Sequence, residues 1–168
     1  MTDLRVAARA TTPTEKSDSI VVSFSAEWYA HLIEQDLGAV IRKRIPKSNA
    51  FRWLYFHINS PISAICGRAP ITELSNIHAH EATAIADQLK LSAAEIDAYV
   101  GTASHIGCYR IGRIELCTKP ISLEALTQRL SYFPPQSFFI LSTKAKNVID
   151  SLAGFRSSGA NPPKGRLT

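Results

Sequence analysis

The sequence predicts an α+β barrel in a single domain, and three observations carry that expectation. Short apolar runs with strand-like alternation recur along the chain. They are interrupted irregularly by stretches with helical spacing, and no regular strand–helix repeat of the kind that builds a parallel sheet is present. The chain has 168 residues, 45% of them hydrophobic, which is enough for one core.

The two ends differ in composition from the middle. Residues 1–18 are rich in Thr, Ala and charge, and "RSSGANPPKGRLT" from Arg156 onward is rich in Gly, Pro and Ser. Residues 1–18 and 156–168 therefore read as flexible tails around a domain at 19–155.

Within the domain, "SIVVSFS" reads as a buried strand. Ser25 then caps "AEWYAHLIEQDL", where Trp28 with Leu32 and Tyr29 with Ile33 stand four apart as on a helix face, and Gly38 ends it. "AVIRKRI" alternates, placing Val40, Arg42 and Arg44 on one face of a strand and Ala39, Ile41, Lys43 and Ile45 on the other. "FRWLYFHI" and "ISAICGRAPI" are two strands joined at the turn-prone Asn59-Ser60-Pro61.

"NIHAHEATAIADQLK" is a helical region. In "LSAAEIDAYV", Ser92 and Glu95 form a capping box, with Leu91 and Ile96 placed as its hydrophobic staple. "GCYRIGRIELC" is one strand with Tyr109, Ile111, Arg113 and Glu115 on one side. Ser122 caps a short helix through Leu123, Leu126 and Leu130, "SFFIL" closes the sheet, and "KAKNVIDSLAGF" is the last helix.

Charge is unevenly spread. The formal net charge is +5, and residues 40–56 hold Arg42, Lys43, Arg44, Lys47 and Arg52 with no acid, while Glu73, Glu81, Asp87, Glu95 and Asp97 crowd the next region. Such polarity favours an anionic partner, although lysines and arginines on an edge strand also simply discourage aggregation. Cys66, Cys108 and Cys117 form neither a CxxC pair nor an even set, so neither a zinc site nor a disulfide framework is expected. Cys108 and Cys117 read as buried small hydrophobes in a reducing cytoplasm. No run approaches the roughly eighteen apolar residues of a membrane span, so no membrane association is expected.

His78 and His80 stand two apart, which on a helix would point the imidazoles to opposed faces with no third ligand; no metal is expected there. Trp53, Tyr55 and Tyr109 are candidates to stack bases or to fill the core, and His57 shares their ambiguity. Ser137 in "PPQSF" lacks the surroundings of a nucleophile elbow.

Several of these segments, in this order, resemble the ASCH domain of the PUA-like superfamily. "IVVSFSAEWYAHLIEQ" is similar to its first strand and helix, "RKRIPK" to its basic strand, "YFHINSPISAICGRAPI" to its aromatic strand and Ser-Pro turn, and "PISLEAL" followed by "PPQSFFIL" to its closing segment. The resemblance covers 19–142. It implies a PUA-like small β-barrel of about five to six mostly antiparallel strands with flanking helices, and a cleft beside the first helix that accepts RNA or a nucleotide. Aligned on Arg42, the family's G-x-K-x-x-E-x-R run places its Gly, Lys and Glu at Gln35, Leu37 and Val40, so only the arginine is retained. Some small members hydrolyse acetylated cytidine with a lysine, a threonine and a glutamate, and that lysine position stands at Leu37.

The leading expectation is therefore an RNA- or nucleotide-binding domain without metal or organic cofactor. Arg42, Lys43, Arg44 and Lys47 would supply charge, Tyr55 or Tyr109 would stack, Asn59 or Ser60 would hydrogen-bond, and His105, in a Gly-flanked loop, would overhang the cleft. The competing readings are a ribonuclease or amidohydrolase using His105 or a carboxylate, and a regulatory module whose basic face meets a protein partner.

Overall fold

The computed structural model describes residues 15–157; most of both predicted tails lies outside them. The apolar run at the start becomes β1 (Lys16–Phe24), buried from Ser19 to Val22. It begins three residues before the expected domain boundary, because Lys16 pairs with Ser142 and the Ser17 hydroxyl donates to the Leu141 carbonyl. A 3₁₀ turn at Ala26–Trp28 leads into α1 (Tyr29–Glu34). Ser25 does not cap it through its side chain, and the helix ends at Gln35, left-handed with φ 58°, three residues before the expected Gly38.

β2 (Ala39–Arg42) is short, and β3 (Trp53–Ile58) pairs in parallel with β1. A turn with a cis Ser60-Pro61 bond leads to β4 (Ala64–His78). This fifteen-residue strand runs on through Asn76–His78, which the periodicity had assigned to a helix. Pairing explains the difference: its first half bonds to β3, and its second half bonds to β5 (His105–Ile111) along the register Leu74 with Tyr109 to His78 with His105. The helices that follow are α2 (Ala79–Ala84), α3 (Ala86–Leu89) and α4 (Ala93–Val100), the last with the expected Ser92–Glu95 capping box.

"GCYRIGRIELC" is two strands, β5 and β6 (Glu115–Ser122), because the chain turns between them and β6 pairs with the first half of β4 while β5 keeps the second. Ser122 caps α5 (Leu123–Arg129), β7 (Phe139–Ser142) joins the far side of β1, and α6 (Thr143–Ala153) is capped by Ser142. β8 (Arg156–Ser157) pairs with β6, so the expected C-terminal tail begins as strand.

The described residues form an eight-stranded sheet with the path β2-β5-β4-β3-β1-β7, and β6 and β8 attached to β4. Every pairing except β1 with β3 is antiparallel. The α+β class is as expected, with more strands than five or six and an open rather than closed path. Three apolar clusters fill it: one at the centre around Ile20, Phe56 and Tyr109, one under α5 and α6, and one under α2 to α4. No helix of the described residues is long and apolar enough to cross a membrane.

Candidate functional site

Strand alternation decides where Arg42 goes. Ala39 and Ile41 face the core under α2 to α4, Val40 faces the central core, and Arg42 follows Val40 on that side. It emerges where the central core ends, with its guanidinium 4.6 Å from the centroid of the Phe24 ring. Nη2 donates to the Ser23 carbonyl and Nη1 to the Ile41 carbonyl, each at 2.8 Å. A guanidinium has five N–H bonds, so three remain for a ligand. Burial pulls the Arg42 pKa below its ordinary value, with the nearby Tyr99 and Tyr109 acting the other way; the group stays a cation at neutral pH.

Two more hydroxyls stand close by. The Ser23 Oγ and the Tyr109 hydroxyl are buried and have no hydrogen-bond partner among the described residues. Burial raises the Tyr109 pKa, opposed by the Arg42 charge, so the phenol keeps its proton. A buried polar group left unpaired costs about 1–3 kcal/mol, and an acceptor arriving in the cleft would remove that cost at Ser23, which lines it, though not at the fully enclosed Tyr109.

Beside Arg42 opens a cleft of about 580 Å³ between the end of β1 with the 3₁₀ turn after it, β2 and α4. Trp28, Leu37 and Tyr99 contribute apolar surface to it, and Glu27 and Glu95 contribute carboxylates. Both acids are engaged locally, Glu27 accepting from the Ser25 hydroxyl and Glu95 closing the capping box. One cation with two acids does not suit a run of phosphates. It suits one ring-sized polar group, and the volume lies within the usual range of small-molecule pockets, about 300–1,000 Å³.

Of the residues expected at this site, the structure brings Arg42 into the cleft and Lys43 to its rim, where the Lys43 N–H donates to the Tyr99 hydroxyl and Nζ lies 5.3 Å from that ring. Arg44 and Lys47 do not share a strand face with Arg42. β2 ends at Arg42, and the next residues form an exposed loop held by Ile45, which packs against Gly107 and the central core. Asn59 and Ser60 are exposed; the Asn59 N–H donates to the Phe24 carbonyl, so the turn abuts the end of β1 without lining the cleft.

Tyr55 and Tyr109 are 0% exposed, so neither offers a ring face to a base. Tyr55 instead donates to Asp150 at 2.5 Å. His105 opens β5 two residues before Gly107, the strand partner of Arg42, yet it does not line the cleft; its ring lies 4.2 Å from that of His78 and its Nδ1 2.9 Å from the Ser104 hydroxyl. His78 and His80 do not point to opposed helix faces: His78 ends β4, and the two rings stack at 5.3 Å. His57 is buried against Tyr132, and Trp53 lies under Arg68. All three thiols are buried, which pushes Cys108 up to about 11 and Cys66 and Cys117 up to about 12.

Ser23, Trp28 and Tyr99 belong to the cleft and were not foreseen there. A serine interrupting the apolar run of β1 was the available signal for Ser23. Glu95 and Tyr99, four apart on α4, share one face.

No protein-family model matches the chain, and no curated protein does. Solved structures do match. The ASCH protein of Zymomonas mobilis superposes with TM-score 0.73 at 17% identity, covering 83% of this chain and 97% of that one. A point variant of it gives TM-score 0.74 at 17% identity over 82% and 98% of the two chains. The N-terminal domain of McrB from Staphylothermus marinus gives TM-score 0.51 at 10% identity over 82% and 96%. At such identities the likeness is one of architecture, and it agrees with the order of strands, helices and closing segment described above: the chain has the fold of the ASCH domain.

Proposed function

We propose that this chain is an RNA- or nucleotide-binding domain of the ASCH, PUA-like kind, working in a reducing, cytoplasmic setting, and that Arg42 is the anchor of its site. The observation that carries this reading is the convergence of a guanidinium without a carboxylate partner and the unpartnered buried Ser23 hydroxyl at an open cleft. Arg42 would donate to a base carbonyl or a phosphate oxygen, and Ser23 would add a donor to the same or a neighbouring acceptor. Trp28 and Tyr99 take over the stacking role first given to Tyr55 and Tyr109.

Binding is favoured over hydrolysis by the cleft wall. Leu37 and Val40, which occupy the lysine and glutamate positions of the family pattern, line it with side chains that are 4% and 3% exposed, and neither can move a proton. The reading is tested by absorbance of freshly purified protein before and after nuclease digestion. Nuclease-sensitive absorbance at 260 nm in the wild type, reduced in Arg42→Met, supports it; equal absorbance in both proteins counts against Arg42 as the anchor.

A further inference from the structure

If the cleft holds one base, its acidic rim cannot neutralise the phosphates on either side of that base, and another surface must. The exposed loop with Arg44 and Lys47 is one candidate. A second lies at the opposite end of β1. There a groove of about 580 Å³ is lined by Lys16, Arg129 and Lys144 with no Asp or Glu among its lining residues. None of the three cations has a carboxylate partner among the described residues, whereas Lys90, Arg110 and Lys146 are all paired. β7, whose Phe139 and Ile140 also line the groove, is the last strand of the sheet path and has one edge without a strand partner.

An aromatic step accompanies the charge. Phe133 is 63% exposed, one of the two large hydrophobic side chains exposed among the described residues, and its ring meets Phe139 edge to face at 5.4 Å. Three cations along a groove with an exposed ring at its side match what a flexible anionic strand requires: charge for the backbone and a face for a base. The seven steps from Lys16 to Ser23 span roughly 23 Å of β1 at about 3.3 Å per residue, so one strand of a few nucleotides can reach both sites.

We infer that this groove, lined by Lys16, Arg129 and Lys144 with Phe133 at its side, binds the sugar-phosphate backbone of single-stranded RNA whose base occupies the Arg42 cleft. The inference rests on the proposed function, and the two are separated by using two probes. Uridine 5′-monophosphate reaches only the cleft, and a twelve-nucleotide oligouridylate reaches both. In Lys16→Ala with Arg129→Ala and Lys144→Ala, the salt dependence of oligouridylate binding is expected to flatten by about 2 in log–log slope, from about 0.7 per phosphate contact, while monophosphate affinity stays at the wild-type value.

Phe133→Leu should weaken the oligonucleotide without changing that slope. A thermal melt on each variant confirms folding, which substitution of these exposed side chains is not expected to alter. An unchanged slope in the triple variant overturns the inference while leaving the cleft intact, and assigns the phosphates to the loop at 43–47. Failure of the wild type to bind either probe removes both the groove and the proposed function.

Discussion

The Arg68 guanidinium lies 4.0 Å from the centroid of the Trp53 ring, with the ring of Phe155 at 4.3 Å from the same carbon. Its Nε donates to Glu115 at 2.7 Å and its Nη1 approaches Asp150 at 3.4 Å, while Asp150 also accepts from Tyr55 and Lys146. One side chain of β4 thus fastens β3, β6, α6 and the segment after it. Arg68→Ala is expected to cost about 2 kcal/mol, less than the loss of a fully buried pair because 16% of the side chain is exposed. Arg68→Lys should recover little, since an ammonium cannot stack between rings while pairing with two carboxylates. Chemical denaturation of the three proteins measures this; equal stability of the lysine variant and wild type would show that charge alone is needed.

His57 is 1% exposed and lies 2.8 Å from the Tyr132 hydroxyl through Nδ1. Burial holds its pKa below 6.5, the ordinary value, and raises that of Tyr132, so a protonated phenol faces a neutral imidazole. Below pH about 6.5 the unfolded chain binds a proton that the folded chain refuses. The stabilising contribution is therefore complete above that pH and is lost as pH falls toward the depressed folded value. The urea midpoint should drop between pH 7.5 and 5.5, and less so in His57→Gln; the same drop in both proteins would assign it to other groups.

Gly107 is where the basic loop meets the sheet. A Cβ there would fall 2.4 Å from Ile45 Cγ2 and 2.7 Å from the Arg42 carbonyl oxygen. Gly107→Ala should destabilise by about 1–3 kcal/mol through overpacking and displace the end of β2 that aims Arg42. A lower melting temperature together with weaker ligand binding is the expected pair of results. Loss of stability with unchanged affinity would mean that the loop moves without carrying Arg42.

The two unpartnered hydroxyls give the opposite pattern. Removing a buried donor that has no acceptor relieves a cost, so Tyr109→Phe and Ser23→Ala are expected to melt at or slightly above the wild-type temperature. Ser23→Ala, at the cleft wall, should nevertheless bind uridine 5′-monophosphate more weakly, while Tyr109→Phe, enclosed and outside the cleft lining, should bind it as the wild type does. Unchanged binding in Ser23→Ala would confine the site to Arg42 and the aromatic side chains.

Local signals in the sequence were legible where a local cause governed the outcome. The Ser92–Glu95 capping box, the Ser122 cap and the helix at 143–153 depend on neighbours three or four residues away, and they form as expected. Long-range pairing decided the rest. Asn76–His78 stay extended because β5 is there to bond them, and Tyr109 is enclosed because β2 and β4 flank its strand. The basic run showed which arginine mattered only in part: alternation places Arg42 correctly, but the end of β2 after it, set by the packing of Ile45 on Gly107, removes Arg44 from that face.

The central claim is that Arg42 holds the ligand, and its most direct test is a titration of uridine 5′-monophosphate into wild type and Arg42→Met, with a thermal melt of each. Methionine keeps an apolar side chain against Phe24 but removes every donor. The account predicts at least a tenfold loss of affinity, corresponding to one charge-assisted hydrogen bond of about 1.4 kcal/mol or more, in a variant that still melts cooperatively. Equal affinity in the two folded proteins would contradict it.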